Sequence, residues 1–286
     1  MEQLGVLTRR LSDISVKRYN NPYADFDWPA HANRTAWHFS PELISIAGTP
    51  TYESLSEEER KRLSFWEAVN FFSLNVHGEK ALLQGLSERL YGDWPKEVSD
   101  YLHHFVDEEN KHMTLFGNFC LRYGGKIYPS KSMIVPREFE EGEADFLFFA
   151  KVVIFEELVD YYNFHMGNDE QIHPLTREIN RYHHNDEARH LSFGRTITRQ
   201  LFKQYAPRWG RRVRRDISEY LWGYFAATWR EYYNPEVYRD AGLADAYGTY
   251  QTAWNSEHSR MVREKAGTKC LRFFLNNEIL TEAPLP

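Results

Sequence analysis

The residues EENKH at positions 108–112 and DEARH at positions 186–190 decide how this chain folds. Each stretch reads acid-Glu-x-basic-His, so a glutamate and a histidine stand three positions apart. On a helix of about 3.6 residues per turn, such side chains lie about 60° apart on one face. A carboxylate and an imidazole placed in this way can bind one metal ion. Two such pairs, with one further glutamate from each of two other helices, form a carboxylate-bridged two-metal site.

The motif alone is a weak signal, because a chain with 12 histidines and 41 acidic residues contains on the order of one Glu-x-x-His by chance. A third copy, at residues 169–173, illustrates the difficulty. Its histidine precedes Pro174, and a residue before proline is disfavoured in the α conformation. We therefore expect this copy in a turn, where its glutamate and histidine need not share a face.

The turn before the first motif places it relative to an upstream glutamate. The pattern predicts a helix over 56–91 with a capped acidic start, a breaker at 92–95 and a second helix over about 96–123. In an antiparallel hairpin, residues equidistant from the turn lie at the same height. Glu79 and Glu109 are equidistant from position 94, which is inside the turn.

The second motif has the same relation to its own turn. Helices are predicted over about 144–165 and 175–205, with the turn at 167–174 between them. The midpoint between Glu156 and Glu187 falls between positions 171 and 172, again inside the turn. Two hairpins thus each place a glutamate level with a Glu-x-x-His. Chance produces this twice only rarely, so we predict an all-α four-helix bundle around a metal site.

Charge supports this prediction. Four glutamates near the centre of an apolar bundle repel one another and lack water, and two divalent cations would neutralise them. Imidazole with carboxylate is the ligand mixture of non-haem iron or manganese, whereas zinc sites more often use thiolate or three histidines. The acids before the motif glutamates, Glu108 and Asp186, can accept a hydrogen bond from the free nitrogen of a metal-bound histidine. Lys111 and Arg189 either pair with those acids or form ordinary surface salt bridges.

His183 is a candidate for a further ligand. It lies four positions before Glu187 and seven before His190, so the three residues occupy one strip about 60° wide on the helix. Its neighbour His184 is about 100° further round and lies outside that strip. A lone histidine on a helix is more often a surface or core residue. If His183 does bind, the two metal ions become inequivalent.

With these residues placed, the chain resembles the ferritin-like di-iron carboxylate superfamily, which includes ribonucleotide reductase small subunits, bacterial multicomponent monooxygenases and acyl-carrier-protein desaturases. The His-x-x-x-Glu-x-x-His form of residues 183–190 is similar to the arylamine N-oxygenase branch, such as p-aminobenzoate N-oxygenase. The similarity covers roughly residues 55–205. It implies the metal ligands Glu79, Glu109, His112, Glu156, His183, Glu187 and His190. Glu108 and Asp186, predicted above from their positions, would then be the outer partners of these ligands.

Spacing does not choose firmly between Glu156 and the adjacent Glu157. We take Glu156, because its separation from the motif on the next helix suits the family register. Asp160 and Asn163 also continue its helical face.

The resemblance implies two iron ions, with O2 as co-substrate activated as a peroxo-diferric species. The implied reaction is N-oxygenation of a small arylamine in a biosynthetic pathway. A C–H hydroxylase or desaturase would share the ligands, and a ferroxidase or peroxide scavenger and a non-enzymatic helical scaffold are further alternatives. No Gly-rich phosphate loop or dinucleotide fingerprint is present, so electrons must come from an external donor such as a ferredoxin and its reductase, or a chemical reductant.

Composition is that of a soluble enzyme. A chain of 286 residues, 42% of them hydrophobic, can bury a sizeable core, and a net charge of -6 argues against nucleic-acid binding. Two cysteines without metal-binding spacing favour a reducing cytoplasm. No signal peptide or membrane span is expected, since the longest apolar run, 146–155, is short and broken by Lys151. We expect a homodimer. The basic run 208–215 is either a solvated helix start or a docking patch for an acidic electron-transfer or carrier protein.

We predict a single domain with three parts. Residues 1–54, rich in proline and aromatic residues, form an extended arm, and 55–205 form the bundle. Residues 206–286 form accessory helices, at 207–232 and about 247–278. Residues 124–143, with Pro129 and Pro136, are the long crossover that a ferritin-like bundle requires.

Aromatic residues make up 16% of the chain, and Phe72, Phe105 and Phe155 lie on or beside the ligand-bearing faces. They either fill the core or line an apolar substrate pocket. Tyr161 and Tyr162 lie near these faces, and the sequence does not identify a radical-storing tyrosine.

Overall fold

The computed structural model describes residues 2–130 and 138–281. Within these ranges the chain is all-α, as predicted, and an isolated β-bridge joins Trp37 to Ile172. The helices are α1 (Glu2–Lys17), α2 (Pro50–Ser54), α3 (Glu57–Glu88), α4 (Lys96–Phe119), α5 (Glu143–Asn168), α6 (Pro174–Tyr205), α7 (Arg211–Glu231), α8 (Pro235–Asp240), α9 (Ala246–Asn255) and α10 (Glu257–Asn276).

The bundle is made of two hairpins, α3 with α4 and α5 with α6. The predicted capped start of α3 is confirmed. The Ser56 hydroxyl accepts a hydrogen bond from the Glu59 N–H at 3.3 Å, and the Glu59 carboxylate accepts one from the Ser56 N–H at 2.8 Å. α4 ends earlier than predicted, at Phe119, and the chain continues as a π-helical turn over Cys120–Gly124.

Two glycines allow α3 and α5 to approach closely. A Cβ atom on Gly78 would lie 2.0 Å from the ring of Phe155, and one on Gly85 would lie 2.0 Å from the ring of Phe148. The glycines are seven residues apart, as are the two phenylalanines, so both rings pack against the same face of α3. Gly78 directly precedes Glu79, and Phe155 directly precedes Glu156. The close packing therefore brings two of the predicted ligands together.

The N-terminal segment differs from the prediction. The extended arm expected over 1–54 is wrong for residues 2–17, which form helix α1 with Leu4 and Leu11 buried. The prolines begin only at position 22, and the leucines before them have helical spacing. An ion pair of 2.9 Å between Arg9 and Glu97 joins α1 to α4. Met1 lies outside the described residues.

The accessory region also differs in detail. The helix predicted over 247–278 is broken at Ser256, which has an extended backbone and caps α10 by accepting a hydrogen bond from the N–H of Ser259. Helix α8 was not predicted. Part of the predicted crossover, including Pro136, lies outside the described residues.

The third copy of the motif lies in the turn between α5 and α6, as predicted. Its histidine, His173, is the N-cap of α6. Among residues 2–130 and 138–281, no helix has both the length and the apolar character needed to cross a membrane.

Substitution of Gly85 by alanine should destabilise the protein by about 1–3 kcal/mol, because the new methyl group overlaps the Phe148 ring. Gly117, within α4, is the matched control, since a Cβ there meets nothing within 4 Å. Gly117→Ala should stabilise by about 0.5–1 kcal/mol through its higher helix propensity. Chemical denaturation measures both changes, and equal effects of the two substitutions would contradict the close packing of Gly85 against Phe148.

Candidate metal centre

Seven side chains of glutamate and histidine converge at one level inside the bundle, and each is at most 1% exposed. Their ligand-type atoms form three overlapping groups, and within each group these atoms lie within 4.8 Å of one another. All seven are residues that the sequence predicted. They are Glu79 on α3, Glu109 and His112 on α4, Glu156 on α5, and His183, Glu187 and His190 on α6.

Two of the glutamates lie centrally among the three imidazoles. Glu109 is 2.9 Å from Nδ1 of His112 and 2.8 Å from Nδ1 of His190. Glu187 is 2.9 Å from Nε2 of His183 and 3.2 Å from Nδ1 of His190. Glu187 also lies 3.7 Å from Nδ1 of His112, so both glutamates approach the histidines of both motifs. Glu79 approaches the cluster from α3, with 3.4 Å between its Oε1 and Nε2 of His183.

The two motif histidines point Nδ1 into the cluster and Nε2 outward. Nε2 of His112 lies 3.2 Å from Asp186, and Nε2 of His190 lies 2.8 Å from Glu108. The pairing is crossed, since each acid contacts the histidine of the other hairpin. An acid that accepts the Nε2 proton leaves the lone pair on Nδ1, directed at the cluster.

Arg189 joins the two outer acids. Its Nη2 lies 2.6 Å from both Glu108 and Asp186, and all three side chains are buried. The two acids therefore have a buried counterion between them. Of the two alternatives for Lys111, pairing with these acids is not observed, because Lys111 contacts Asp107 at 2.5 Å and lies over the ring of Tyr19.

Several cluster oxygens have no hydrogen-bond partner among the described residues. They are both carboxylate oxygens of Glu79, both of Glu156 and Oε1 of Glu109. Oε1 of Glu109 lies at ion-pair distance from His190, but the geometry is not that of a hydrogen bond. Buried polar atoms are rarely left unpaired, so unpaired oxygens at this density indicate a site for a cation.

The pKa values in the cluster diverge. Burial and the neighbouring carboxylates raise the pKa of Glu79 and Glu156 well above the ordinary value. Burial also acts to raise the pKa of Glu109, but His190 and His112 outweigh it and lower that pKa to about 2. Burial opposes protonation of His112, yet Glu109 and Asp186 raise its pKa to about 9. Positive charge is thus strongly favoured at this position.

The structure separates Glu156 from Glu157. Glu156 faces the cluster with His183 and Glu187, whereas Glu157 forms an ion pair with Arg195. Asp160, expected on the face of Glu156, contacts His184 at 2.5 Å instead.

Aromatic rings surround the cluster. Phe105 stacks on His190 with 4.0 Å between ring centroids, and Phe116 meets His183 edge-on at 4.9 Å. Phe72 stacks on Phe116 at 5.2 Å, and Phe155 fills the space above Gly78. These rings form an apolar shell that keeps water from the charged groups. Sequence reasoning missed Phe116, although it lies four residues after His112, on the same helix face.

The comparisons with known proteins agree with this arrangement. The fold and cluster define the class of ferritin-like di-metal carboxylate proteins. The family described as P-aminobenzoate N-oxygenase AurF matches residues 4–277. The chain belongs to the p-aminobenzoate N-oxygenase AurF family.

Among curated proteins, the chain is similar to the uncharacterized proteins Rv0885 of Mycobacterium tuberculosis and Mb0909 of Mycobacterium bovis. Each is 30% identical over 227 residues, which are 74% of this chain and 64% of the relative. The chain therefore spans less than two thirds of the length of these relatives.

Among solved structures, the chain is similar to two variants of an R2-like ligand-binding oxidase with a reconstituted Mn/Fe cofactor. For both, the TM-score is 0.50, the identity is 16%, and the match covers 96% of this chain and 93% of the other. At this identity the likeness concerns the fold, and the ferritin-like fold predicted from the sequence is confirmed.

A further buried carboxyl group, Glu67 on α3, lies outside the cluster and was missed by sequence reasoning. It accepts hydrogen bonds from the hydroxyl and the N–H of Ser45, and that hydroxyl also contacts the Tyr238 hydroxyl at 2.8 Å. Glu67 lines a cavity of about 10 Å³ together with Tyr162 and Tyr232. Burial raises the pKa of Glu67 to about 7, against the opposing effect of the Ser45 hydrogen bonds.

Replacement of Glu67 by glutamine should make stability less dependent on pH. The raised pKa means that the folded protein holds the Glu67 proton up to about pH 7, whereas the unfolded chain releases it near the ordinary glutamate pKa of 4.5. Glu67 therefore contributes about 3 kcal/mol to the free energy of unfolding of the wild type below pH 4.5. This contribution is lost as the pH rises to about 7.

Denaturation of wild type and Glu67→Gln between pH 4.5 and 8 measures this effect. The variant should gain stability relative to wild type as the pH rises. Glu58→Gln, at an exposed position of the same helix, is the control and should show no such trend. A constant difference between Glu67→Gln and wild type would contradict the raised pKa.

Proposed function

We propose that this chain is a di-iron oxygenase that transfers one oxygen atom from O2 to the nitrogen of a small arylamine. The observation that carries the proposal is the buried cluster of four glutamates and three histidines, five of whose oxygens have no hydrogen-bond partner among the described residues. Membership of the p-aminobenzoate N-oxygenase AurF family supports N-oxygenation as the reaction.

The donor set fits two ions. Four carboxylates balance the charge of two divalent cations, and the mixture of imidazole and carboxylate suits iron or manganese. Glu109 and Glu187 each lie near the histidines of both motifs, so these two central carboxylates would help to hold either ion. The R2-like oxidases carry a Mn/Fe cofactor, and manganese at one position is therefore the alternative that metal analysis distinguishes.

Held by these residues, two redox-active ions would supply the chemistry that converts O2 into the oxidant, with electrons from an external donor. The balanced first step joins one oxygen atom to the amine nitrogen to give a hydroxylamine. The other oxygen atom leaves as water, and two electrons and two protons are consumed. Repetition of this chemistry gives the nitroso and then the nitro product.

The chain's own groups have three tasks in this reaction. Glu108 and Asp186 hold the Nε2 protons of the motif histidines, which keeps Nδ1 free to bind. Arg189 keeps these two acids ionised at a buried position. The aromatic shell excludes water, so that the oxidant does not react with solvent.

An arylamine suits this interior. It is a weak base and is neutral at neutral pH, so it can enter an apolar space without the cost of burying a charge. Its ring matches the aromatic side chains around the cluster, such as Phe105 and Phe116.

Metal binding should require Glu156 and not its neighbour. Wild type should hold about two iron ions per chain. Glu156→Gln removes a charged ligand and should weaken iron binding by more than the about 10–100-fold that loss of an outer partner costs. Glu157→Gln removes only the contact with Arg195 and should keep the iron. Iron content after dialysis against a chelator compares the three proteins, and equal iron content in the two variants would contradict the assignment.

The reaction itself is tested by reducing the iron-loaded protein and admitting isotopically labelled O2 with a panel of arylamines. Mass spectrometry should detect hydroxylamine, nitroso or nitro products that carry the label on nitrogen. Label on carbon would indicate a hydroxylase, and loss of hydrogen a desaturase. Iron oxidation without any organic product would indicate a ferroxidase, and each of these outcomes would overturn N-oxygenation.

A further inference from the structure

Asn163 contacts His183, the histidine outside the two motifs. It lies on α5 seven residues after Glu156, and therefore on the same helix face. Its Nδ2 is 2.5 Å from Nδ1 of His183, and both side chains are at most 1% exposed. Oδ1 of Asn163 has no hydrogen-bond partner among the described residues.

A neutral imidazole carries one N–H and one lone pair, so the contact at one nitrogen determines the state of the other. Nε2 of His183 faces the cluster, 2.9 Å from Glu187 and 3.4 Å from Glu79. If Nε2 is to bind a metal ion, the proton must sit on Nδ1, and a buried N–H requires an acceptor. Within the described ranges, Asn163 is the polar side chain in hydrogen-bond contact with Nδ1.

The two ends of a carboxamide have nearly the same shape, so a half-turn of the Asn163 amide exchanges Oδ1 and Nδ2 without a change in packing. With Nδ2 toward His183, the amide donates to Nδ1 and the proton lies on Nε2. With Oδ1 toward His183, the amide accepts from Nδ1 and the Nε2 lone pair faces the cluster. The reversed amide also gives the unpaired oxygen a partner.

We propose that Asn163 is a positioning residue, whose Oδ1 accepts the Nδ1 proton of His183 and so directs the Nε2 lone pair to the metal centre. The inference rests on the proposed function, because it concerns a ligand of that centre. Asn163 thereby does for His183 what Asp186 and Glu108 do for His112 and His190.

The acceptor at His183 differs in charge from the other two. Asp186 and Glu108 are acids that withdraw the proton from their histidines and make them stronger ligands, whereas an amide is neutral. His183 is therefore the weakest donor of the three imidazoles. The two ions would therefore differ both in the number of histidine ligands that each binds and in the strength of those ligands.

Two substitutions at Asn163 test the acceptor role. Asn163→Leu keeps a similar size but removes the acceptor, and should weaken iron binding at one of two positions by about 10–100-fold. Asn163→Asp keeps an acceptor and removes the donor, and should bind iron at least as tightly as wild type. Competition with a chelator measures affinity, and Mössbauer spectra of the reduced, iron-loaded proteins should show one of two iron signals altered in Asn163→Leu.

Asn70→Leu is the matched control. Asn70 is a buried asparagine on α3 whose amide bonds to the Glu231 carbonyl and the Asn234 side chain, at 3.0 and 2.9 Å. Its replacement should lower stability but leave both iron signals unchanged. A loss of affinity in this control equal to that in Asn163→Leu would overturn the specific role of Asn163.

The results separate this inference from the function on which it rests. Wild type without bound iron would defeat the proposed function itself. Wild type with about two irons, and Asn163→Leu with the same affinity and spectra, would defeat only the role of Asn163. Asn163→Leu risks misfolding, so Asn163→Asp provides a second test. A loss of iron in Asn163→Asp would overturn the proposed role, because that variant keeps a hydrogen-bond acceptor for Nδ1 of His183.

Discussion

The repulsion among four glutamates placed together in an apolar interior is the constraint on which the rest of the structure depends. Carboxylates at this depth lack water, and the pKa values of Glu79 and Glu156 rise as a result. Two divalent metal cations would balance the four carboxylates, and the three imidazoles would bind them as neutral ligands. The bundle is built to hold this arrangement at one level.

Packing between α3 and α5 makes the arrangement possible. Gly78 and Gly85 leave space for two phenylalanine rings of α5, so the helices approach closely where Glu79 and Glu156 point into the cluster. A larger residue at Gly78 would separate the helices at the cluster. The same interface therefore contributes to stability and sets the distance between these two candidate ligands.

Side chains outside the cluster orient the histidines within it. The outer acids cross between hairpins, and Arg189 joins them. Each hairpin thus orients the histidine of the other, which links α4 to α6 through polar contacts as well as through apolar packing. His183 stands apart, because its outward nitrogen meets the neutral amide of Asn163.

The sequence by itself determined the helical hairpins and the level at which the seven candidate ligands meet. Helical periodicity and the distance to a turn are local properties, and they were enough to predict the bundle, the capped start of α3 and the positions of Glu79, Glu109 and Glu187. Even so, helix α1 was missed, because the prolines after position 20 dominated the composition of the whole segment.

Only the tertiary structure decided between neighbours on one helix. Glu156 and Glu157 differ by only one position in their distance from the turn, and the rotation of α5 about its axis directs one to the cluster and the other to Arg195. The orientation of the helices also determines that Arg189, and not Lys111, contacts both outer acids. It likewise places Asn163 against His183. Such contacts depend on distances between helices, which packing sets and linear spacing does not encode.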